Sequence, residues 1–190
     1  STCCSLIFLI LLITVGIYIL YLLMFRISME DHLTKLHTRR YHFRRLREEI
    51  RSAKRTNTKL SLLLIDVDWL KQVNDTSGHG AGDRLLQSIA NVLRANTRAI
   101  DSCARHGGDE FVVILPGLDG RRALATAKKI EEMSKKIEAM PGTGASLSIG
   151  LVTWERGMDE QQLMECADQA LYAAKSEGKG RTKVYEAIVK

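Results

Sequence analysis

The sequence predicts an α+β domain in which a mixed β-sheet is layered with helices. Short apolar runs that are typical of buried strands alternate with longer segments whose apolar residues recur at helical spacing. Two of the strand-like runs, Ser102–Ala104 and Phe111–Leu115, are joined by a link short enough for a tight hairpin. With 190 residues, of which 45% are hydrophobic, the chain holds one domain of ordinary size plus an additional segment.

The additional segment is apolar and comes first, and we interpret it as a transmembrane helix. Leu6 to Phe25 are twenty residues without a charged side chain, and at 1.5 Å each they span about 30 Å, the thickness of a bilayer's hydrocarbon core. A secretory signal peptide is the alternative, but no small-residue cleavage site follows. We therefore expect residues 1–25 to form one membrane span. Because the chain begins at Ser1 rather than Met, we also expect further residues ahead of it.

Positive charge is concentrated directly after that segment. Residues 26–60 carry eleven Lys or Arg and four acids, a net of +7, whereas residues 61–190 are almost balanced. Positive charge beside a membrane span indicates the cytoplasmic side and attracts anionic lipid headgroups. A nucleic-acid-binding arm is the alternative interpretation of such a cluster. The adjoining span argues against that arm, so we expect the membrane, and no nucleic acid, as a partner.

Helices and strands then follow in a regular order. Helices are predicted where apolar residues fall on one side, and strands where short apolar runs are bounded by turn residues. The last helix begins with an acid, Asp159, that can cap its free N–H groups. The predicted helices are Tyr41–Lys54, Asp83–Thr97, Arg121–Ala139 and Asp159–Ser176. The predicted strands are Ser61–Ile65, the two hairpin strands, Ala145–Val152 and an edge strand at Thr182–Tyr185.

The hairpin link contains Gly107, Gly108, Asp109 and Glu110 in succession. Glycine has no Cβ, so a bulky ligand can approach the backbone closely, and the two carboxylates can hold a hard divalent cation. Asp66 follows a buried strand and adds a third carboxylate if the two strands are neighbours. Carboxylates that close together repel one another unless a cation lies between them. A polar hairpin tip without a ligand is the alternative interpretation.

These residues belong to a longer ordered pattern. Its parts are Asp66-Val67-Asp68-Trp69-Leu70-Lys71-Gln72-Val73-Asn74-Asp75, Gly78-His79-Gly80-Ala81-Gly82-Asp83 and Gly107-Gly108-Asp109-Glu110-Phe111, with further pieces at Asp31–Arg40 and Ala167–Lys179. Over about residues 31–185 the chain resembles the GGDEF family of diguanylate cyclases. The resemblance implies a nucleotidyl cyclase, palm-like fold with a central five-stranded mixed sheet flanked by helices. We accordingly assign residues 26–36 to a juxtamembrane connector and residues 37–190 to the GGDEF domain.

The resemblance also implies three sets of site residues. The metal set would hold Mg²⁺, with Mn²⁺ as the alternative ion, and consists of Asp66, the backbone carbonyl of Val67, Asp109 and Glu110; Asp68 is left outside it. The substrate set would bind GTP and consists of Asn74, His79, Asp83, Gly107, Gly108, Lys175 and Lys179. The catalytic set consists of Asp109, Glu110 and Lys71. Lys179 stands where the family commonly has Arg, so phosphate would meet a point charge instead of a bidentate fork.

Two residues of this pattern have side chains that can recognise guanine. An amide such as that of Asn74 and a carboxylate such as that of Asp83 can read the guanine edge, with the carboxylate accepting from the ring N–H and the exocyclic amine. A polar site of this kind rejects a base that leaves it unpaired. A turn asparagine and an acid at a helix start are the alternatives for these two residues.

The implied reaction joins two GTP molecules into cyclic di-GMP and releases two pyrophosphates, which makes the chain a nucleotidyltransferase. One sequence supplies one GTP site, so a homodimer with opposed sites is expected. Arg98 and Asp101 match the family's RxxD inhibitory site, where the product would bind; an exposed ion pair is the alternative. The alternative function is a catalytically silent receptor for GTP or cyclic di-GMP. The expected location is the bacterial inner membrane, with a single span and a cytoplasmic catalytic domain.

Overall fold

The chain divides into an N-terminal helical unit, Ser1–Glu30, and a larger unit, Asp31–Lys190. The computed structural model describes residues 2–27 and 29–186. The N-terminal unit contains helix α1, Thr2–Ile27, whose side chains are described from residue 7 to residue 21.

The prediction of a transmembrane helix at Leu6–Phe25 is wrong. In the part of the chain that the structure describes, no helix is both long enough and apolar enough to cross a membrane. The side chains of Leu6 and of residues 22–25 lie outside the described residues. The single-span inner-membrane location and the membrane as a partner were predicted from this helix, and they are corrected with it.

The described part of the larger unit contains eight strands. They are β1 (His37–Thr38), β2 (Leu60–Val67), β3 (Ser102–Arg105), β4 (Glu110–Pro116), β5 (Glu138–Met140), β6 (Thr143–Gly144), β7 (Leu147–Thr153) and β8 (Thr182–Val184). Six of them form one sheet in the order β1-β3-β4-β2-β7-β8, and β5 pairs with β6. In the run β3-β4-β2-β7 each strand is antiparallel to its neighbour, whereas β1 and β8 add to the two edges in parallel. The predicted mixed sheet therefore has six strands instead of five, because two residues at His37–Thr38 extend one edge.

The described part of the larger unit also contains five helices. They are α2 (Arg39–Thr56), α3 (Leu70–Ser77), α4 (His79–Ala95), α5 (Gly120–Ser134) and α6 (Glu160–Ser176). Alternate residues of a strand face opposite sides of a sheet. Leu62 and Leu64 of β2 accordingly pack with α2 and α6, while Leu63 and Ile65 pack with α4 and α5. The predicted α+β class is confirmed by this layered arrangement.

The predicted elements differ from the observed ones at α5 and α3, and α4 begins at His79 instead of the predicted Asp83. The predicted helix Arg121–Ala139 ends at Ser134, because Glu138–Met140 pairs with Thr143–Gly144 as a small hairpin. Helix α3 is not predicted by the sequence pattern, since Val73 is its one buried residue. The acid before α6 does cap the helix, as predicted, with its carboxylate accepting from the backbone N–H of Gln162.

Candidate active site

The register of the sheet brings the predicted metal ligands together at the end of β2. Asp66 is directly paired with Glu110 at the start of β4, and the backbone N–H of Val67 donates to the carbonyl oxygen of Asp109 at 3.1 Å. Asp66 and Val67 are buried, whereas Asp109 and Glu110 are half-buried. Directly opposed residues of an antiparallel pair project their side chains to the same face. The carboxylates of Asp66 and Glu110 are therefore neighbours at the edge of a buried surface.

Three side chains at this point have pKa values shifted by burial and by one another's charges. Burial raises the pKa of Asp66, and the charges of Asp109 and Asp68 add to the shift, while the hydrogen bond from Lys175 opposes it. Burial also raises the pKa of Glu110, with repulsion from Asp66 and Asp109. Burial acts to lower the pKa of Lys175, but the contact of its Nζ with Asp66 Oδ2, at 2.7 Å, outweighs burial and the net shift is upward. The repulsion among the carboxylates is the part of these shifts that an additional cation would relieve.

The donor set is compatible with a shared metal ion. Among the residues that the structure describes, no group of three or more His, Cys, Asp or Glu side chains could hold a metal ion by itself. Mg²⁺ is usually held by one or two carboxylates, and substrate phosphates with water complete its shell. The carboxylates of Asp66, Asp109 and Glu110 and the carbonyl of Val67 fit that partial donor set chemically.

A cavity of about 520 Å³ opens beside these carboxylates. Its lining includes Asp66 and Asp109 together with three lysines, Lys71, Lys175 and Lys179. Lys175 lies in the last turn of α6, and Lys179 lies in the loop that follows. Ammonium groups neutralise phosphate as point charges, and carboxylates supply a cation site. Both chemistries that a metal triphosphate requires therefore meet at one opening.

The residues predicted to read guanine lie on α3, which also lines that cavity, and on α4. Asn74 is half-buried on α3, and His79 and Asp83 are exposed on α4. The described lining of the 520 Å³ cavity does not include these three residues. Gly82 lies directly below the Asn74 side chain, where a Cβ would overlap its amide oxygen. The helix pair thus leaves no room for a larger side chain between Gly82 and Asn74, while Asp83 is open to solvent.

Arg105 hydrogen-bonds both the hairpin link and Asp31, and the sequence analysis did not predict these contacts. Gly107 and Gly108 are exposed in the turn, and the guanidinium of Arg105 donates to the carbonyl oxygen of Gly108 at 2.7 Å. The same guanidinium donates to Asp31 Oδ1 at 3.2 Å. Asp31 lies in the turn that contains Lys35, whose φ of 57° falls in the left-handed region that glycine adopts most readily. The family-like segment Asp31–Arg40 indicated that Asp31 belongs to the domain. It did not indicate that Asp31 pairs with Arg105.

Asp68, which was not assigned to the metal set, makes structural hydrogen bonds. Its carboxylate accepts hydrogen bonds from Ser146 Oγ at 2.7 Å and Ser148 Oγ at 2.8 Å, both next to or in β7. It also accepts from the backbone N–H of Gly180 at 3.0 Å, in the loop after α6. This buried acid therefore ties the end of β2 to the loop that carries Lys179.

Arg98 and Asp101 form a hydrogen-bonded ion pair on the surface of the larger unit. Arg98 Nη2 donates to Asp101 Oδ1 at 2.6 Å and to the carbonyl oxygen of Pro116 at 2.9 Å. The Asp101 side chain is only 1% exposed, whereas that of Arg98 is 48% exposed. Both residues line a separate cavity of about 360 Å³. The arrangement leaves one edge of the guanidinium available from solvent.

The fold and this site define a palm-like nucleotidyl cyclase domain. The family model described as "Diguanylate cyclase, GGDEF domain" matches residues 28–181. The chain therefore belongs to the GGDEF family of diguanylate cyclases, as the sequence pattern predicted.

Individual relatives agree with this assignment. The chain is 38% identical to Diguanylate cyclase DosC of Escherichia coli over 161 residues, which are 83% of this chain and 35% of that protein. It is 38% identical to Response regulator PleD of Caulobacter vibrioides over 163 residues, 80% of this chain and 35% of that protein. The chain thus spans about a third of the length of these relatives. The predicted enzyme class, diguanylate cyclase, is confirmed as that of the family and of its curated members.

A solved structure matches the larger part of the fold. The GGDEF domain of DgcB from Caulobacter crescentus, in complex with c-di-GMP, has a TM-score of 0.80 and 28% sequence identity. The match covers 84% of this chain and 94% of that one.

Proposed function

We propose that this chain is an active diguanylate cyclase that condenses two GTP molecules into cyclic di-GMP. In each of two equivalent steps, the 3′-oxygen of one GTP forms a bond to the α-phosphorus of the other. The bond from that phosphorus to the bridging oxygen of the β-phosphate breaks, pyrophosphate leaves and the hydroxyl proton is lost to a base. The cavity bordered by carboxylates and three lysines is the observation that carries the proposal.

Phosphate binding falls to the three lysines of the cavity. Lys71 lies in the first turn of α3, whereas Lys175 and Lys179 approach from α6 and its following loop. A triphosphate that enters between them would be neutralised from two sides. In this arrangement Lys71 would also stabilise charge that develops on the phosphates, which is its catalytic role.

A divalent ion would be shared between the protein and the phosphates. Mg²⁺, or Mn²⁺ as the alternative, would be held by Asp66, the carbonyl of Val67, Asp109 and Glu110. The repulsion of Glu110 by Asp66 and Asp109, which a bound cation would relieve, supports this assignment. When bound, such an ion offsets phosphate charge and lowers the pKa of a nearby hydroxyl. Asp109 and Glu110 are half-buried beside that position, and we assign to them the assistance of proton removal.

Base recognition is assigned to the helix pair. Asn74 and Asp83 would bind the guanine edge, and His79 lies one turn before Asp83 on α4. The exposed glycines Gly107 and Gly108 leave the backbone open on the side of the hairpin turn. ATP presents an amine where guanine presents a carbonyl, so a site built from these groups would discriminate against it.

Catalysis requires two GTP molecules facing each other, and one copy of the described site binds one. We therefore propose that the active form is a homodimer with opposed cavities. Cyclic di-GMP would bind at Arg98 and Asp101 and inhibit turnover, because bound product can stabilise an arrangement that keeps the two cavities apart. The half-exposed guanidinium of Arg98 and the adjoining cavity support this second site.

The test is to incubate the purified chain with GTP and Mg²⁺ and to identify the product by chromatography and mass spectrometry, with ATP as the control substrate. Cyclic di-GMP from GTP, and none of the adenine analogue from ATP, is the expected result. The competing hypothesis, a silent receptor for GTP or cyclic di-GMP, predicts binding of either nucleotide without turnover.

A further inference from the structure

Trp69 and Lys179 meet at the rim of the 520 Å³ cavity, although 109 residues separate them in the sequence. The Nζ atom of Lys179 lies 3.7 Å from the centroid of the Trp69 ring. Both residues line the cavity, and Trp69 is 52% exposed although it is a large aromatic residue. An ammonium within about 6 Å of a ring centroid is attracted by the ring, and tryptophan gives the strongest attraction among the aromatic side chains.

The backbone at both residues is in an uncommon conformation. Trp69 has a φ of 64° and Lys179 a φ of 62°, in the left-handed region that side chains with a Cβ rarely adopt. Trp69 precedes the first residue of α3, and its carbonyl oxygen accepts from the N–H of Val73 at 3.1 Å. Such outliers cluster at ligand-binding positions, where the surrounding structure holds them. Here each outlier turns its side chain toward the other.

The loop of Lys179 is fixed independently of that contact. The backbone N–H of Lys179 donates to the carbonyl oxygen of Ala174 at 3.1 Å, and the next residue, Gly180, donates to Asp68 at 3.0 Å. These bonds place the backbone but leave the long, flexible side chain of Lys179 undirected. A lysine on such a stem loses rotamer freedom when it binds a phosphate. Among the described groups, the indole ring of Trp69 restricts the Lys179 side chain before a phosphate binds.

We propose that Trp69 is a positioning residue, which holds the Lys179 ammonium over the cavity in the orientation that receives a nucleotide phosphate. This inference rests on the proposed function, because it assumes that the cavity accepts the triphosphate of GTP. Trp69 acts through Lys179, and its removal lowers affinity by freeing the lysine. A ring that merely fills space would act without regard to the lysine's charge.

The test measures nucleotide affinity in the full chain without turnover. The probe is 3′-deoxy-GTP with Mg²⁺, which keeps the base and the triphosphate but lacks the attacking hydroxyl, and its Kd is measured by calorimetry. The proteins are the wild type, Trp69→Leu, Trp69→Phe, Lys179→Met and the double variant Trp69→Leu/Lys179→Met. Circular dichroism confirms that each is folded.

Trp69→Leu is expected to raise Kd about two- to fivefold, the equilibrium equivalent of an exposed cation–π contact. Trp69→Phe retains an aromatic face and should restore most of the affinity. In the Lys179→Met background, where no ammonium remains to be held, Trp69→Leu should have no further effect. An equal effect of Trp69→Leu in both backgrounds, or equal affinity of wild type and Trp69→Leu, would overturn the inference.

The proposed function fails in a different way. A wild-type chain that binds the analogue and shows coupling between Trp69 and Lys179, but makes no cyclic di-GMP from GTP, supports the positioning role and refutes the cyclase. A chain that makes cyclic di-GMP without coupling between the two residues retains the cyclase and refutes the positioning role.

Discussion

The side-chain oxygen of Asn74 lies against Gly82, in the space that a Cβ on that residue would occupy. Gly82→Ala must therefore displace the amide, although alanine is the better helix former. Because Asn74 is proposed to bind guanine, we expect KM for GTP to rise about tenfold, from the loss of roughly one hydrogen bond to the base. Initial rates over a range of GTP concentrations measure this change.

Gly80→Ala is the matched control for that substitution. It lies in the same helix, but its Cβ would meet only the flexible end of Arg84, at 3.6 Å. We expect it to leave KM unchanged and to raise thermal stability slightly. If both alanine variants raise KM equally, the contact between Gly82 and Asn74 does not set base affinity.

Asp83→Ala should weaken the selection of GTP over ATP. Asp83 is exposed on α4, so the substitution removes a base contact without disturbing the core. Loss of a carboxylate that reads the guanine edge is expected to cost about 1–3 kcal/mol of discrimination. The ratio of kcat/KM for GTP to that for ATP is the measurement. Glu132→Ala, an exposed acid of α5, is the control; an unchanged ratio in Asp83→Ala would assign Asp83 to the helix start alone.

Arg98→Ala should relieve inhibition by cyclic di-GMP while the initial rate stays unchanged. Arg98 lines a cavity separate from the one that holds Asp109. Initial velocity against added cyclic di-GMP, compared with wild type and with the exposed-surface control Arg51→Ala, tests the role. The structure also shows an ion pair of Arg98 with Asp101. Identical inhibition curves, accompanied by a lower melting temperature, would identify the pair as structural only.

Much of the fold follows from local sequence. Apolar runs located β2, β4 and β7, and the capping acid located the start of α6, since these signals depend on near neighbours in the chain. Helix α3 was missed because Val73 is its one buried residue and gives no periodicity. The span assigned to Leu6–Phe25 was wrong, since no helix among the described residues is both long enough and apolar enough to cross a membrane.

The residues of the candidate site could be predicted from the sequence, but the contacts between them could not. Family spacing selected the residues, but their pairings depend on how distant segments approach. Lys175 contacts Asp66 across 109 residues of sequence, and the approach of Lys179 to Trp69 follows from the path of the loop after α6. Sequence order holds no information on either distance, so these contacts required the structure.

Stability should fall in mild acid because of His42. This histidine is fully buried on α2, and neither ring nitrogen has a hydrogen-bond partner in the described structure. Burial lowers its pKa from 6.5 to about 3, with the charges of His106 and Arg39 contributing. The unfolded chain therefore binds more protons between these values, and the stabilising contribution of neutral His42 is lost as pH falls from about 6.5 toward 3. The limiting slope is about 1.4 kcal/mol per pH unit.

Urea unfolding of the wild type and of His42→Leu at several pH values measures this contribution. The variant should lose that part of the slope, whereas a substitution of the exposed His32 should retain it. The same acid sensitivity in His42→Leu would assign the effect to other groups.

The most direct test of the cyclase assignment compares wild type with Asp109→Ala in one reaction with GTP and Mg²⁺. Cyclic di-GMP and pyrophosphate are quantified together over time. Asp109 lies at a hairpin turn and is half-buried, so its truncation should preserve the fold while removing a proposed metal ligand, with a loss of at least about a hundredfold in rate. We predict two pyrophosphates for each cyclic di-GMP in the wild type and almost no product in the variant. Pyrophosphate without cyclic di-GMP, or a fully active Asp109→Ala chain, would contradict the account.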